Sequence, residues 1–153
     1  MPIPYNMLEQ ACDRIACGNK DGAHVLQCIA HVARLADDIA DGDTEDAQGA
    51  LASILSTLLV QLPRNPFWQL HGPFLSGPCL TAILGWQAGD AWRHHEDEKT
   101  RMFGFVYREA VEHVAYAVAY LTGGHHHARA MMDLIQEVSH RASHETFYDW
   151  EVR

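Results

Sequence analysis

Between Leu35 and Asp43 the chain reads LADDIADGD, with Asp37, Asp38, Asp41 and Asp43 inside seven positions. Carboxylates one helical turn apart make each other costlier to ionise. This group also ends an apolar, helix-like run, where the macrodipole disfavours acidic residues by about 0.3–1 kcal/mol each. On a helix Asp37 and Asp41 share a face and Asp38 flanks Asp41 at i+3. A divalent cation held by oxygen ligands accounts for the crowding; a solvated acidic turn is the alternative. A second group, DAWRHHEDE from Asp90 to Glu98, puts Asp90, His94 and Glu98 at i, i+4 and i+8, one column on a continuous helix. Two such columns on facing helices could hold Mg²⁺ or Mn²⁺ and share it with a phosphate. The candidate metal ligands are therefore Asp37, Asp38, Asp41, Asp90 and Glu98. His94 and Asp97 are the candidate catalytic residues, His94 as a ligand or as a general acid/base near neutral pH. Arg34, Arg93 and Arg101 are candidate phosphate partners, guanidinium being suited to phosphate oxygens. Each could instead pair with a nearby carboxylate, as Arg34 with Asp38 at i+4.

Asp37-Asp38-Ile39-Ala40-Asp41 resembles the DDxxD motif of class I terpenoid and prenyl-diphosphate synthases, especially the squalene/phytoene synthase version. Asp90, His94 and Glu98 resemble the second metal motif of terpene cyclases in spacing, with His94 departing at the middle position. The resemblance implies two facing motifs that bind Mg²⁺ ions around a substrate diphosphate. It covers two short motifs, and the chain is shorter than members of that family, so a homodimer or a minimal helical relative would have to complete the site. The acidic helical columns are also similar to those of all-α NTP pyrophosphohydrolases, the MazG-like and dimeric dUTPase group, although aspartates stand at the first position of the ExxE and ExxD signature and the second column departs from it too. Both resemblances imply divalent cations that neutralise a diphosphate. A hydrolase is the preferred expectation, because a short helical domain can host water attack on phosphate, whereas carbocation chemistry needs a deep apolar cavity. The competing expectation is a non-enzymatic helical protein whose acidic clusters face solvent or a basic partner. Its aromatic tail, Phe147, Tyr148 and Trp150, would complete an interface.

Composition narrows the partners. The formal charge is −9 with only two lysines, which argues against nucleic-acid binding. No run of 18 apolar residues and no signal-type N-terminus is present, so the expectation is a cytoplasmic protein with no membrane partner and a small diphosphate-bearing molecule as substrate. Cys12, Cys17, Cys28 and Cys79 lack zinc-type spacing and are read as reduced thiols. Three histidine groups suggest further schemes. Glu137 and His140 form one ExxH, with His144 a turn beyond, but a ferritin-like di-iron site needs a second ExxH. His24, Cys28 and His31 share a helical face that could bind zinc or simply pack. His125, His126 and His127 read as exposed loop material.

The elements that must position these residues are helices, since apolar spacing follows a 3.6-residue period and strand alternation is missing. One all-α domain over residues 1–153, a bundle of about five to six helices, is expected. The first helix spans about Tyr5 to Cys17 and the second about Ala23 to Asp41, stopped by Gly42. The third, capped by Asp43 or Thr44, ends at Pro63. Four prolines between Pro63 and Pro78 predict an irregular aromatic connection with at most one short helix. The fourth helix is expected from Pro78 to about Glu98. The fifth spans Thr100 to Leu121, closed by Gly123-Gly124, and the last covers His126 to His144.

Overall fold

Seven helices follow one another along the residues that the computed structural model describes, 5–153, and no strand occurs among them. Residues 1–4, included in the single domain expected over 1–153, lie outside the described residues. Helix α1 (Tyr5–Ile15) ends in two left-handed residues, Cys17 and Gly18. Helix α2 (Lys20–Asp41) starts three residues earlier than expected, because the Asn19 side chain accepts the Gly22 N–H at 2.9 Å and serves as its N-cap. Gly42, at φ 75°, closes α2 as expected. Helix α3 (Ala47–Ser56) is capped by Asp46 rather than Asp43 or Thr44. It runs through a π-helical turn (Thr57–Gln61) into a last turn (Leu62–Arg64) that absorbs Pro63.

The largest correction concerns the proline-rich stretch. The expected irregular connection is the first half of α4 (Pro66–Trp92), a 27-residue helix with Pro73 and Pro78 inside it. A proline in a helix interior costs about 3 kcal/mol, and tertiary burial can outweigh that. Phe67, Gly72 and Leu75 are buried on its inner side. Asn65 anchors its start by accepting from Trp68 N–H (3.1 Å) and donating to the Asp21 carbonyl (3.0 Å). Two carbonyls beside the prolines gain hydroxyl donors: Ser76 Oγ on Pro73 O and Thr81 Oγ1 on Gly77 O.

Two further breaks separate expectation from structure. Helix α4 stops at Trp92, and Asp97 caps a new helix α5 (Glu98–Tyr107) by accepting from the N–H and hydroxyl of Thr100, both at 2.8 Å. The expected fifth helix is itself cut at 108–111, where hydrogen bonds of i→i−3 type turn the chain into α6 (Glu112–Ser139). The Gly123-Gly124 stop survives only as a kink: Gly124 is non-helical at φ 80° inside α6. Helix α6 ends at Ser139 rather than His144, and a 3₁₀ turn (Arg141–Ser143) leads to α7 (Phe147–Glu151), held by a Thr146/Asp149 capping box. The expectation of five to six helices thus becomes seven.

The core lies where α1, α2, α4 and α6 meet, with Val25, Leu75, Val114, Val118 and Ile135 almost fully buried. Helices α4 and α5 cross at glycines. A Cβ on Gly85 would lie 2.6 Å from Ala110 Cβ and 2.8 Å from Tyr107 O, and one on Gly89 would meet Arg108 Cβ at 2.9 Å. This contact brings Asp90, Arg93 and Arg108 to one end of the bundle. All four cysteines are free thiols. Among the described residues no helix is long and apolar enough to cross a membrane.

Candidate functional site

The acidic end of α2 faces the C-terminal end of α4 and the α5–α6 turn. Asp37 accepts a 2.9 Å hydrogen bond from Trp86 Nε1 on α4, which pins the two helices together beside the cluster. The Asp41 carboxyl is pushed up by partial burial and by the charges of Asp37, Asp90 and Asp43, with Arg93 opposing them. Asp90 is half-exposed and lies 3.6 Å from Arg93 Nη2. Glu109, in the α5–α6 turn, is also pushed up, first by burial, with Asp37 and Glu112 adding to the effect and Arg108 and His140 opposing it. Asp37, Asp41, Asp90, Glu109 and Glu112 therefore share one electrostatic field.

Two arginines form the basic side of this region. Arg93 Cζ lies 5.0 Å and Arg108 Cζ 5.6 Å from the centroid of Trp150, which is fully buried. Stacking of this kind orients a guanidinium while leaving its edge free to donate. Arg108 is committed to Glu145 at 2.6 Å. Among the described residues the Arg93 side chain makes no hydrogen bond, its only ion pair is the 3.6 Å one to Asp90, and its Nε is buried without a partner.

A tighter polar group adjoins them. Burial opposes ionisation of Glu112, yet hydrogen bonds from His140 Nε2–H (3.0 Å), Ser139 Oγ–H (2.9 Å) and the Tyr116 hydroxyl hold its carboxyl below the usual range. The same bond to Glu112 raises His140 against the opposing effect of burial, and Tyr116 is pushed up to about 12 by burial and the Glu112 charge.

Of the residues singled out in the sequence, the structure brings together Asp37, Asp41, Asp90 and Arg93. Asp38 sits 3.9 Å from Arg34, the i+4 pair foreseen as the alternative role for that arginine. The Asp90/His94/Glu98 column does not form, because the helix carrying Asp90 ends two residues later. His94 is exposed in the following turn and Glu98 is exposed in the first turn of α5. Asp97 is occupied as the α5 N-cap, and its bonds to Thr100 hold it below the usual range. Arg101 is spent on Glu151 (2.9 Å) and on the carbonyls of His95 and Glu96. The ExxH pairing is replaced too: His140 bonds to Glu112, while Glu137 is exposed beside Arg141. His127, read as loop material, donates its Nε2–H to the Ile15 carbonyl at the end of α1 at 2.8 Å. His24 meets Cys28 at 3.5 Å, whereas His31 turns to Ser53 on α3. Trp150 of the aromatic tail is internal rather than part of an outer interface.

Sequence reasoning missed Glu109 and Glu112 as members of this group, whereas Arg108 recurs with Arg93 and Arg101 along the sequence as a guanidinium suited to phosphate. The ExxE spacing of Glu109 and Glu112 was a usable signal, hidden by treating 100–121 as one helix. Among the described residues, no group of three or more His, Cys, Asp or Glu side chains is arranged so that it could hold a metal ion as it stands. No family model, curated protein or solved structure matches this chain.

Proposed function

We propose that the protein is a Mg²⁺- or Mn²⁺-dependent phosphohydrolase acting on a small diphosphate-bearing substrate, with Asp37, Asp41 and Asp90 as the cation-facing carboxylates. The observation that carries this reading is the field around Asp41, where two elements aim like charges at one another beside a guanidinium that makes no hydrogen bond among the described residues. A cation relieves the carboxylate repulsion, and a phosphate oxygen satisfies Arg93.

The donor set fits a hard cation, being all oxygen. Mg²⁺ typically takes one or two protein carboxylates and completes its shell with water and substrate phosphate, so a preformed cage of three protein ligands is not required. When bound, such an ion supplies charge neutralisation and polarises phosphoryl oxygens. Arg93 would orient a phosphate edge-on from its stacked position on Trp150. Glu109, pushed up by burial, would accept a proton from attacking water, and His140 and Ser139 would keep Glu112 ionised beside it. Solvent access favours hydrolysis over prenyl-diphosphate chemistry, since Asp41 and Asp90 are both exposed.

The test is a thermal melt with Mg²⁺, with inorganic pyrophosphate, and with both, followed by phosphate release from nucleoside and prenyl diphosphates. A native-state ligand at 100 times its Kd adds about 2.7 kcal/mol. The expected result is a midpoint shift of about 5–11 °C for a chain of this size when Mg²⁺ and pyrophosphate are present together, lost in Asp41→Ala. An unmoved midpoint with either cation, alone or with pyrophosphate, overturns the reading.

A further inference from the structure

Helix α4 carries a second pattern that the acidic site does not use. From Pro66 to Gly89 it contains no Asp, Glu, Lys or Arg. Its inner side is committed to the core through Phe67, Leu75 and Cys79. On the opposite side Leu70, Phe74, Gly77, Thr81 and Leu84 repeat at i, i+4, i+7, i+11 and i+14, one face of a helix. That face is bare: Leu70 is 74% exposed, Phe74 55% and Leu84 55%, and Leu80 at its flank 57%. A Cβ built on Gly77, at the centre of the face, would meet nothing within 4 Å.

The order of side chains along this face is symmetric about Gly77. Leu70 and Leu84 stand seven residues to either side, and Phe74 and Leu80 stand three to either side. In an antiparallel pair of identical helices with the two-fold axis at Gly77, Leu70 of one copy meets Leu84 of the other and Phe74 meets Leu80, so the apolar side chains of this face fall opposite apolar side chains. Gly77 on the axis lets the two backbones approach closely.

The surface area agrees. The chain exposes 9232 Å², whereas a compact monomer of its mass, 17.2 kDa, is expected to expose about 7,800 Å². The excess, roughly 1,400 Å², is shared among the chain's bare apolar faces, that of α4 among them, and is of the size that one subunit contributes to an obligate dimer interface, roughly 1,000–2,500 Å².

We propose that the exposed face of α4 is a homodimer interface, in which a second copy of this chain packs its α4 antiparallel to the first with Gly77 at the two-fold axis. The interface is independent of the cation-dependent reading above.

Light scattering on a sizing column, followed by disulfide trapping, tests it. The expected mass is twice 17.2 kDa at micromolar concentration, and Leu70→Glu/Leu84→Glu is expected to halve it with an unchanged helical circular-dichroism spectrum. In a Cys17→Ser background, Gly77→Cys is expected to cross-link to itself under mild oxidation. Leu70→Cys should not, but should link to Leu84→Cys when the two proteins are mixed. These trapping variants keep the test decisive if the glutamate variant fails to fold. A mass of one chain at 50 µM overturns the proposal, including the case in which the monomer instead pellets with lipid vesicles. Self-linking of Leu70→Cys without the mixed Leu70/Leu84 link overturns the antiparallel register.

Discussion

The His140–Glu112 pair allows the sharpest quantitative test of how the α5–α6 turn is held. Both side chains are mostly buried, 16% and 10% exposed, and the bond is 3.0 Å. With so little solvent screening, a hydrogen bond between charged partners contributes about 1.5–3 kcal/mol, against about 0.5–1.5 kcal/mol for a neutral one. The sign follows from the two shifts. His140 is raised above its ordinary 6.5, so its contribution is full below that value and is lost as pH rises through the folded-state pKa. Glu112 is lowered below its ordinary 4.5, so its contribution is full above that value and is lost as pH falls through the folded-state pKa. The pair therefore stabilises most between about pH 4.5 and 6.5. A double-mutant cycle of His140→Ala and Glu112→Gln, read by urea unfolding at pH 5.5 and pH 9, is expected to give a coupling of about 1.5–3 kcal/mol at the lower pH. At the higher pH it should fall by half or more. His140→Ala alone should lower the melting midpoint by about 3–12 °C at pH 5.5. A coupling inside the additivity error of about 0.5 kcal/mol at pH 5.5, or one equally large at pH 9, refutes the reasoning.

Three other outcomes follow from the packing and the charges. Gly85→Val drives a side chain into Ala110 Cβ and the Tyr107 carbonyl, and should cost about 1–3 kcal/mol in urea unfolding while removing the joint Mg²⁺ and pyrophosphate shift. Trp150→Ala removes a fully buried ring and the platform under Arg93 and Arg108, so a loss of about 3–5 kcal/mol is expected, measurable by chemical denaturation. Asp41→Asn removes a carboxylate whose pKa is raised, and whose charge therefore destabilises the folded chain above about pH 4; without cations its midpoint should rise slightly, by about 1–2 °C, at pH 7 and not at pH 3.

Periodicity and caps carried the helical class, and they carried some ends of elements as well. Gly42 stopped α2 as expected, because only a residue tolerant of positive φ closes a helix there cheaply. The proline-rich stretch misled for the opposite reason. Proline's cost is local and visible in sequence, while the burial of Phe67, Gly72 and Leu75 that offsets it belongs to the assembled bundle. The second acidic column failed at a cap: Asp97 and Thr100 satisfy backbone donors by starting a new helix, and an i, i+4, i+8 count cannot register that the helix beneath it has ended.

Residue types and spacing alone determined that carboxylates would crowd near Asp41 and make one another costlier to ionise, because like charges one turn apart repel in any helical context. Tertiary structure alone decided which groups answer them. The glycine crossing of α4 and α5 places Asp90 and Arg93 beside Asp41, and the turn at 108–111 carries Glu109 and Glu112 into the same field. Those partners lie roughly fifty to seventy positions along the chain from Asp41. Their approach depends on how closely two backbones can pack, a property of the helix pair rather than of either stretch of sequence.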